Sequence, residues 1–348
     1  MFKKLFAKKA LPQVTLQPGG QQFEVPRNHT VLETALSLGL AYPHDCTVGT
    51  CGRCRSRLVS GKVDAITPFG YTLSREELAA GYILACQAVP ESDLVLEIAL
   101  GTDGPAAQDV AGRIVETRAL THDICKVTWE VSAPIAYRAG QYLNLTWPGG
   151  PGTRSYSFSA APAEGGTTRL STFIRKVPGG AFTERLFANA FADTAFTISA
   201  PHGDFWLREG EGPIILIGGG SGLAPLMSVL EDAVARGVKR DAVLLFGGRG
   251  ERDLYCQDEI TAIAARWQGR FRFIPVLSDE VSPAYAHGLV TGEIPAALTE
   301  LGGTGGLQAY LCGPPGMIDA AIATLATQGV DLGQIYYDKF TDAGTGKV

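Results

Sequence analysis

Four cysteines, Cys46, Cys51, Cys54 and Cys86, stand in the order C-x4-C-x2-C followed by a distant C, within the runs PHDCTVGTCGRC and GYILACQA. That spacing is the ligand pattern of a plant-type [2Fe-2S] cluster. It constrains the local fold strongly, because three thiolates on one loop can enclose a two-iron core only where the backbone bends sharply. Gly49 and Gly52 stand where a side chain would obstruct that bend. Zinc is the alternative metal, but it usually takes two close pairs or Cys/His mixtures, and Cys86 has no second cysteine near it in sequence. A Rieske centre needs two histidines, and His44 precedes Cys46 instead of following a cysteine, so His44 reads as a loop hydrogen bonder.

The chain has 348 residues, 45% of them hydrophobic, which is enough for two or three packed domains. A formal charge of −5 leaves no basic excess with which to neutralise phosphates, and this argues against a nucleic-acid binder. Of the seven cysteines, the four above are claimed by the cluster pattern. Cys125, Cys256 and Cys312 lie far apart, so a secreted disulfide framework is not expected and a reducing cytoplasm is. The opening MFKKLFAKKALP gathers Lys3, Lys4, Lys8 and Lys9 around Phe2, Leu5 and Phe6, with no apolar stretch long enough for a signal peptide or a spanning helix. It reads as a solvated tail or as a weak basic anchor for peripheral membrane association.

The hydrophobic pattern changes twice along the chain. Residues 12–100 read as strand, strand, helix, cluster loop, a hairpin strand at SRLVSGKV and a closing strand at DLVLEIAL, a β-grasp ferredoxin domain of α+β class. Residues 101–109, GTDGPAAQD, read as a linker. Residues 110–208 run through GRIVETRAL, ICKVTWEV, GQYLNLTW, RSYSFSA, TRLSTFIRK and FTISAPHG, short β-rich segments separated by turn residues that predict an antiparallel β-barrel. Residues 209–348 alternate strands with helices and predict a doubly wound parallel sheet of α/β class. No internal repeat is evident.

In the last segment, Gly218, Gly220, Gly222 and Pro225 follow the apolar strand PIILI and open a helix, where backbone amides can cradle a pyrophosphate. Alone this could be a plain strand-to-helix turn, since the third glycine of the dinucleotide fingerprint is missing. A second motif, Cys312-Gly313-Pro314-Pro315, ends another strand, and ligands of such sheets gather at the carboxyl ends of strands near the switch point. In the barrel segment, Arg154-Ser155-Tyr156-Ser157 and the run Gly179-Gly180-Ala181-Phe182-Thr183 combine an arginine for phosphate, an aromatic cover and a glycine-rich anion-binding turn. That combination suggests a phosphorylated aromatic cofactor; plain barrel architecture is the other reading.

Taken in order, these motifs resemble the reductase components of multicomponent oxygenases, in which a plant-type ferredoxin is fused to a ferredoxin-NADP reductase-like module. The resemblance runs from about residue 12 to Phe340. The stretch around Cys46 to Cys54, with GYILACQAVPESDLVLEI behind it, is especially similar to electron-transfer components of the xylene monooxygenase kind, which serve a membrane-bound diiron hydroxylase. The resemblance implies three cofactors, a [2Fe-2S] cluster, FAD and NADH, and a terminal oxygenase as protein partner. Hydride would pass from NADH to FAD, and single electrons would leave through the cluster. By the same resemblance Arg154, Tyr156 and Ser157 would hold the flavin, with Gly179, Gly180 and Thr183 at its phosphates. Gly218, Gly220, Gly222, Pro225, Gly313 and Pro314 would bind the dinucleotide. Cys312 would sit beside the nicotinamide, or else be a small buried thiol ending a strand. Phe340 would shield a flavin face, or else pack as a terminal core aromatic.

The run LLFGGRGERDLY resembles the NADH-using branch of this family, which implies NADH, although the usual acidic residue for a ribose hydroxyl is absent at that strand end and Arg249 or Arg252 could hold a 2′-phosphate. Nothing in the chain activates oxygen, so the acceptor is another polypeptide: the resemblance favours a membrane diiron monooxygenase, with a Rieske non-haem-iron dioxygenase or a soluble diiron monooxygenase as the alternatives. A redox-sensing flavoprotein and a zinc-stabilised binding module are the readings from other classes.

Overall fold

The computed structural model describes residues 11–44, 48, 49, 52–98, 100, 105–192 and 194–340. Cys46, Cys51 and the basic stretch Phe2 to Lys9 lie outside them. The chain divides into two units, Met1–Asp103 and Gly104–Val348.

In the first unit the strands β1 (Gln13–Gln17) and β2 (Gln22–Glu24) form an antiparallel hairpin. Helix α1 (Val31–Ser37) follows, and its start is written in the sequence. The Thr30 hydroxyl accepts from the Glu33 amide at 3.1 Å, and the Glu33 carboxylate accepts from the Thr30 amide at 2.9 Å, a reciprocal cap. Beyond the cluster loop come β3 (Arg55–Ser60), β4 (Val63–Ala65), α2 (Arg75–Ala79), β5 (Tyr82–Leu84), β6 (Ala88–Pro90) and β7 (Leu94–Glu97). The main sheet has the order β2-β1-β7-β3-β5. The first and last strands, β1 and β7, lie side by side and parallel, with Val14 opposite Leu94. The hairpin expected at SRLVSGKV is corrected here: β3 pairs with β5 and β7, whereas β4 leaves to pair with β6 in a separate two-stranded sheet. Val31, Leu32 and Ala35 of α1 pack on Val14, Leu16, Leu94 and Leu96 of the sheet, and Cys54 and Cys86 belong to the same buried cluster.

The second unit opens with β8 (Gln108–Ala119), β9 (Ile124–Ile135), β10 (Tyr142–Thr146), β11 (Arg154–Ser157) and β12 (Thr167–Arg175). A short helix α3 (Thr183–Phe187) and β13 (Phe196–His202) complete the barrel. Each of the six segments expected as strands is one. Gln108 and Asp109, placed above in the linker, already pair with Ala200 and Ser199. The order is β11-β10-β13-β8-β9-β12, antiparallel throughout, and a bridge from Phe158 to Thr172 joins the two ends. Closure removes the exposed edges that an open sheet would present. Trp129 fills the interior at 0% exposure, with its indole N–H donated to the Thr172 hydroxyl at 3.0 Å.

The rest is β14 (Ile214–Gly219), α4 (Leu223–Ala235), β15 (Ala242–Gly248), α5 (Gln257–Arg266), β16 (Phe271–Leu277), β17 (Ala286–His287), α6 (Ile294–Glu300), β18 (Gln308–Gly313), α7 (Pro315–Thr327) and β19 (Ile335–Lys339). The strands form one parallel sheet in the order β17-β16-β15-β14-β18-β19. Side chains alternate between its faces. Ile214, Leu216, Leu244, Phe246, Tyr310 and Cys312 face α4 and α5, while Ile215, Ile217, Val243, Leu245 and Leu311 face α6 and α7. Both faces are covered, which is why these strands read as continuous apolar runs. The core on the α4 side runs on into barrel residues Ile124, Phe173 and Phe205, so the barrel packs against the parallel sheet there, while its interior keeps a core of its own around Trp129.

Candidate functional site

The turn from β14 into α4 is built on glycine for two separate reasons. Gly220 has φ +57, in the left-handed region. Gly222 sits so close to β18 that an added Cβ would lie 2.3 Å from the Cys312 carbonyl oxygen and 2.7 Å from the Gly313 nitrogen. Pro225 falls in the first turn of α4, where a missing N–H costs nothing. In register, Gly218 lies opposite Cys312, and Cys312 lies opposite Asp338 of β19. The Phe340 amide then donates to the Gly313 carbonyl at 2.9 Å. The glycine turn, the Cys312–Pro314 segment and Phe340 therefore meet at the carboxyl end of neighbouring strands. They straddle the point where the strand order reverses between β14 and β18.

In the barrel, Arg154, Tyr156 and Ser157 lie on β11, paired with Leu145, Leu143 and Tyr142 of β10. The Arg154 guanidinium donates to the carbonyls of Pro151 and Thr153. Burial pushes the Tyr156 phenol well above its usual pKa, against the pull of the Arg154 charge, and its ring lies 5.6 Å from that of Phe182. Thr183 is buried, and its hydroxyl is taken up by its own loop, accepting from the Val177 amide at 3.0 Å and donating to the Val177 carbonyl at 3.2 Å. Gly179 has φ +70, and its amide meets the Glu184 carboxylate at 3.3 Å. The glycine loop thus has its amide already facing an anionic group of the chain itself.

At the cluster loop, Gly49 and Gly52 have φ +81 and +76, the sharp bend that the cysteine spacing requires. Cys54 and Cys86 are 2% and 4% exposed, and the Cys86 amide donates to the Cys54 sulfur at 3.3 Å. An amide aimed at a buried sulfur suits a thiolate ligand. Gln87 donates to Cys86 through its side-chain amide, at 2.9 Å to the carbonyl and 3.8 Å to the sulfur. His44 hydrogen-bonds the Tyr42 carbonyl at 2.8 Å, the loop contact expected of it. The residues present suit a sulfur-ligated cluster; the ligands expected at Cys46 and Cys51 lie outside the described residues.

Several contributors carried no motif. Tyr255 is buried between Phe173 of the barrel and Phe246 of the sheet, with both ring centroids 5.6 Å away. Burial keeps its phenol protonated, and it donates to the Gly220 carbonyl at 2.8 Å. On α4, Ser228 donates to the Ala160 carbonyl at 2.5 Å, and Glu231 accepts from the Ala161 amide at 2.9 Å. These contacts fasten the chain just beyond β11 to the helix that starts at the glycine turn. After β15, the Asp253 carboxylate accepts from the amides of Arg249 and Gly250, and Glu280 accepts from that of Glu251. The only sequence signals were an apolar Leu254-Tyr255 pair breaking a charged run and an acidic residue spaced like a cap.

Residues 14–91 match the family of 2Fe-2S iron-sulfur cluster binding domains, residues 111–206 that of oxidoreductase FAD-binding domains, and residues 216–322 that of oxidoreductase NAD-binding domains. The chain is 40% identical over 347 residues to the electron transfer component of xylene/toluene monooxygenase from Pseudomonas putida, covering 97% of each chain. It is 36% identical over 332 residues to the reductase subunit of an aromatic O-demethylase from an Amycolatopsis species, covering 93% of this chain and 98% of the relative. Among solved structures, the Amycolatopsis cytochrome P450 reductase GcoB superposes with a TM-score of 0.70 at 35% identity, over 95% of this chain and 99% of that one. With cluster, flavin and nucleotide segments in this order, the chain belongs to the iron-sulfur flavoprotein reductases that serve as electron-transfer components of multicomponent oxygenases.

Proposed function

We propose that this reductase takes its electrons from NADH and delivers them to the terminal oxygenase of an aromatic monooxygenase system. Arg154, Tyr156 and Ser157, with the loop of Gly179, Gly180 and Thr183, hold FAD. The turn of Gly218, Gly220, Gly222 and Pro225 and the Gly313-Pro314 segment hold the dinucleotide, and Cys46, Cys51, Cys54 and Cys86 hold the cluster. Once bound, the flavin accepts electrons in pairs and the cluster releases them singly, which is the conversion that an oxygenase fed by a hydride donor needs. Cys312 stands at the nicotinamide end of the site, where it limits how the ring can lie, and Phe340 shields a face of the flavin. Thr183 acts on the flavin phosphates by holding the glycine loop in shape, since its hydroxyl is committed to Val177.

The observation that carries this reading is the fastening of Ala160 and Ala161, just past the flavin strand, to Ser228 and Glu231 of the helix that begins at the dinucleotide turn. Hydride transfer demands near-contact of the two rings, and the packing of Ile124, Phe173 and Phe205 into the core of the parallel sheet, with these hydrogen bonds, holds the two half-sites against each other. The monooxygenase assignment follows the naming of the relative at 40% identity. The relatives also include the reductase subunit of an O-demethylase, and the solved structure is a cytochrome P450 reductase, so a reductase of this build suits more than one class of acceptor. The test is the purified protein itself: iron and acid-labile sulfide in equal amounts, one FAD per chain, and rapid bleaching by NADH under anaerobic conditions. Zinc in place of iron, or a flavin that NADH leaves oxidised, would overturn the reading.

A further inference from the structure

Three consecutive backbone amides, those of Arg249, Gly250 and Glu251, turn toward carboxylates in the loop that follows β15. The Asp253 Oδ2 atom accepts from Arg249 at 3.0 Å and from Gly250 at 2.9 Å. The Glu280 Oε2 atom, arriving from the loop after the neighbouring strand β16, accepts from Glu251 at 2.8 Å and lies 2.4 Å from where a Cβ on Gly250 would be. The two loops are joined further by the Ser278 amide on the Gly248 carbonyl and the Asp279 amide on the Arg249 carbonyl, each at 2.9 Å. The Arg249 guanidinium lies 4.0 Å from Asp253, whose other oxygen is 3.6 Å from His122. A run of amides of this kind is an anion-binding concavity, and here the chain fills it with its own carboxylates.

The place matters. In a doubly wound sheet the second strand of the dinucleotide-binding unit ends at the adenosine ribose, where an acidic group takes the 2′-hydroxyl or a basic one takes a 2′-phosphate. That strand is β15, inside the segment matching NAD-binding domains. The sequence offered only Arg249 and Arg252 near this end, an arrangement suited to a phosphate. With Glu280 and Asp253 on the amides, a 2′-phosphate would lose its donors and meet two negative charges as well. Resting on the dinucleotide site proposed above, we propose that Glu280 is a specificity-determining residue that keeps the 2′-phosphate of NADPH out of the site and so commits the reductase to NADH.

The exposed position of Glu280 allows the test in the intact, cofactor-loaded protein. Glu280→Gln keeps an oxygen acceptor and removes the charge, and Glu280→Ala removes both. The quantity to follow is the ratio of kcat/KM for NADPH to that for NADH, with inhibition by 2′,5′-ADP relative to ADP as a binding readout independent of turnover. The expected result is a rise of the kinetic ratio by about threefold in Glu280→Gln and about tenfold in Glu280→Ala, with 2′,5′-ADP gaining on ADP by a similar factor. Adding Asp253→Asn should carry both further. Both ratios staying within twofold of the unaltered protein in Glu280→Ala, while NADH still reduces the flavin and the melting curve is unchanged, would overturn the proposal. Failure of ADP to compete with NADH in the unaltered protein would instead overturn the dinucleotide site on which it rests.

Discussion

Gly222 shows how much a single residue can carry. Its neighbour across the switch point is main chain, the Cys312 carbonyl, and main chain inside a six-stranded sheet cannot swing aside as a side-chain tip can. Gly222→Ala should therefore cost about 1–3 kcal/mol in overpacking and raise KM for NADH by spreading the turn. Cys312→Ala, by contrast, removes a thiol at 0% exposure without moving the turn. It should slow single-turnover flavin reduction more than it weakens NADH binding, because its proposed effect is on the geometry of the reacting ring. Stopped-flow traces with the parent rate would reduce Cys312 to a core thiol. Both residues were visible in the sequence, since glycines at fixed offsets and a Cys-Gly-Pro-Pro end are local patterns. Tyr255, Ser228 and Glu280 were not, because each acts on a residue far off in sequence. Tyr255 meets Gly220 across 35 positions, Ser228 meets Ala160 across 68 and Glu280 meets Glu251 across 29, and no local pattern encodes such a meeting.

Elements were legible where one face or both were buried, and illegible where pairing, not burial, decides. The barrel strand β9 alternates over most of its length because one face looks into the core, so the period of two survives in the sequence. By contrast, β12 is buried on both faces from Leu170 to Ile174, where Phe173 packs into the core of the parallel sheet. The strand β19 does not alternate: after Ile335 its residues are all half-buried, as befits the edge of a sheet. The segment from Arg55 to Ala65 has the composition of a hairpin, yet β3 is claimed by β5 and β7, and propensity does not say which strand a strand will join. Within the barrel, Trp129 bears most on stability. It packs edge-on to Phe196 at 5.3 Å and donates to the hydroxyl of Thr172, the residue at which the sheet closes through Phe158. Trp129→Ala should cost about 3–5 kcal/mol. Release of bound flavin on heating should then begin well below the parent temperature, while the visible absorbance of the cluster, held in the other unit, should melt as before. Simultaneous loss of both signals would mean that the two units unfold as one.

For the whole molecule, the division at Asp103 and Gly104 separates the four proposed cluster ligands from the residues proposed to hold flavin and dinucleotide. Cys54 and Cys86 belong to a core made of residues 14–96, whereas barrel residues Ile124, Phe173 and Phe205 pack into the core of the parallel sheet. A domain with its own core can lose its cofactor without costing its neighbour. Cys86→Ser should accordingly give a yellow protein with little iron and full FAD. It should still reduce ferricyanide with NADH at close to the parent rate, because ferricyanide takes electrons from the flavin directly. Reduction of cytochrome c should fall at least tenfold, because the proposed exit for single electrons has gone. A chain beginning at residue 105 should behave in the same way, having lost the ferredoxin unit but not the first barrel strand, which starts at Gln108. Two results would break this account in different places. Undiminished cytochrome c reduction in Cys86→Ser would show that the flavin passes single electrons outward unaided, leaving the cluster without a task in the chain's own turnover. Loss of FAD along with the iron would show that the two cores depend on each other. The difference matters for the oxygenase partner: if the cluster is the sole exit, the partner has to be met by the ferredoxin unit, and variants across residues 14–96 should change the rate of oxygenase turnover while leaving the NADH–ferricyanide rate where it was.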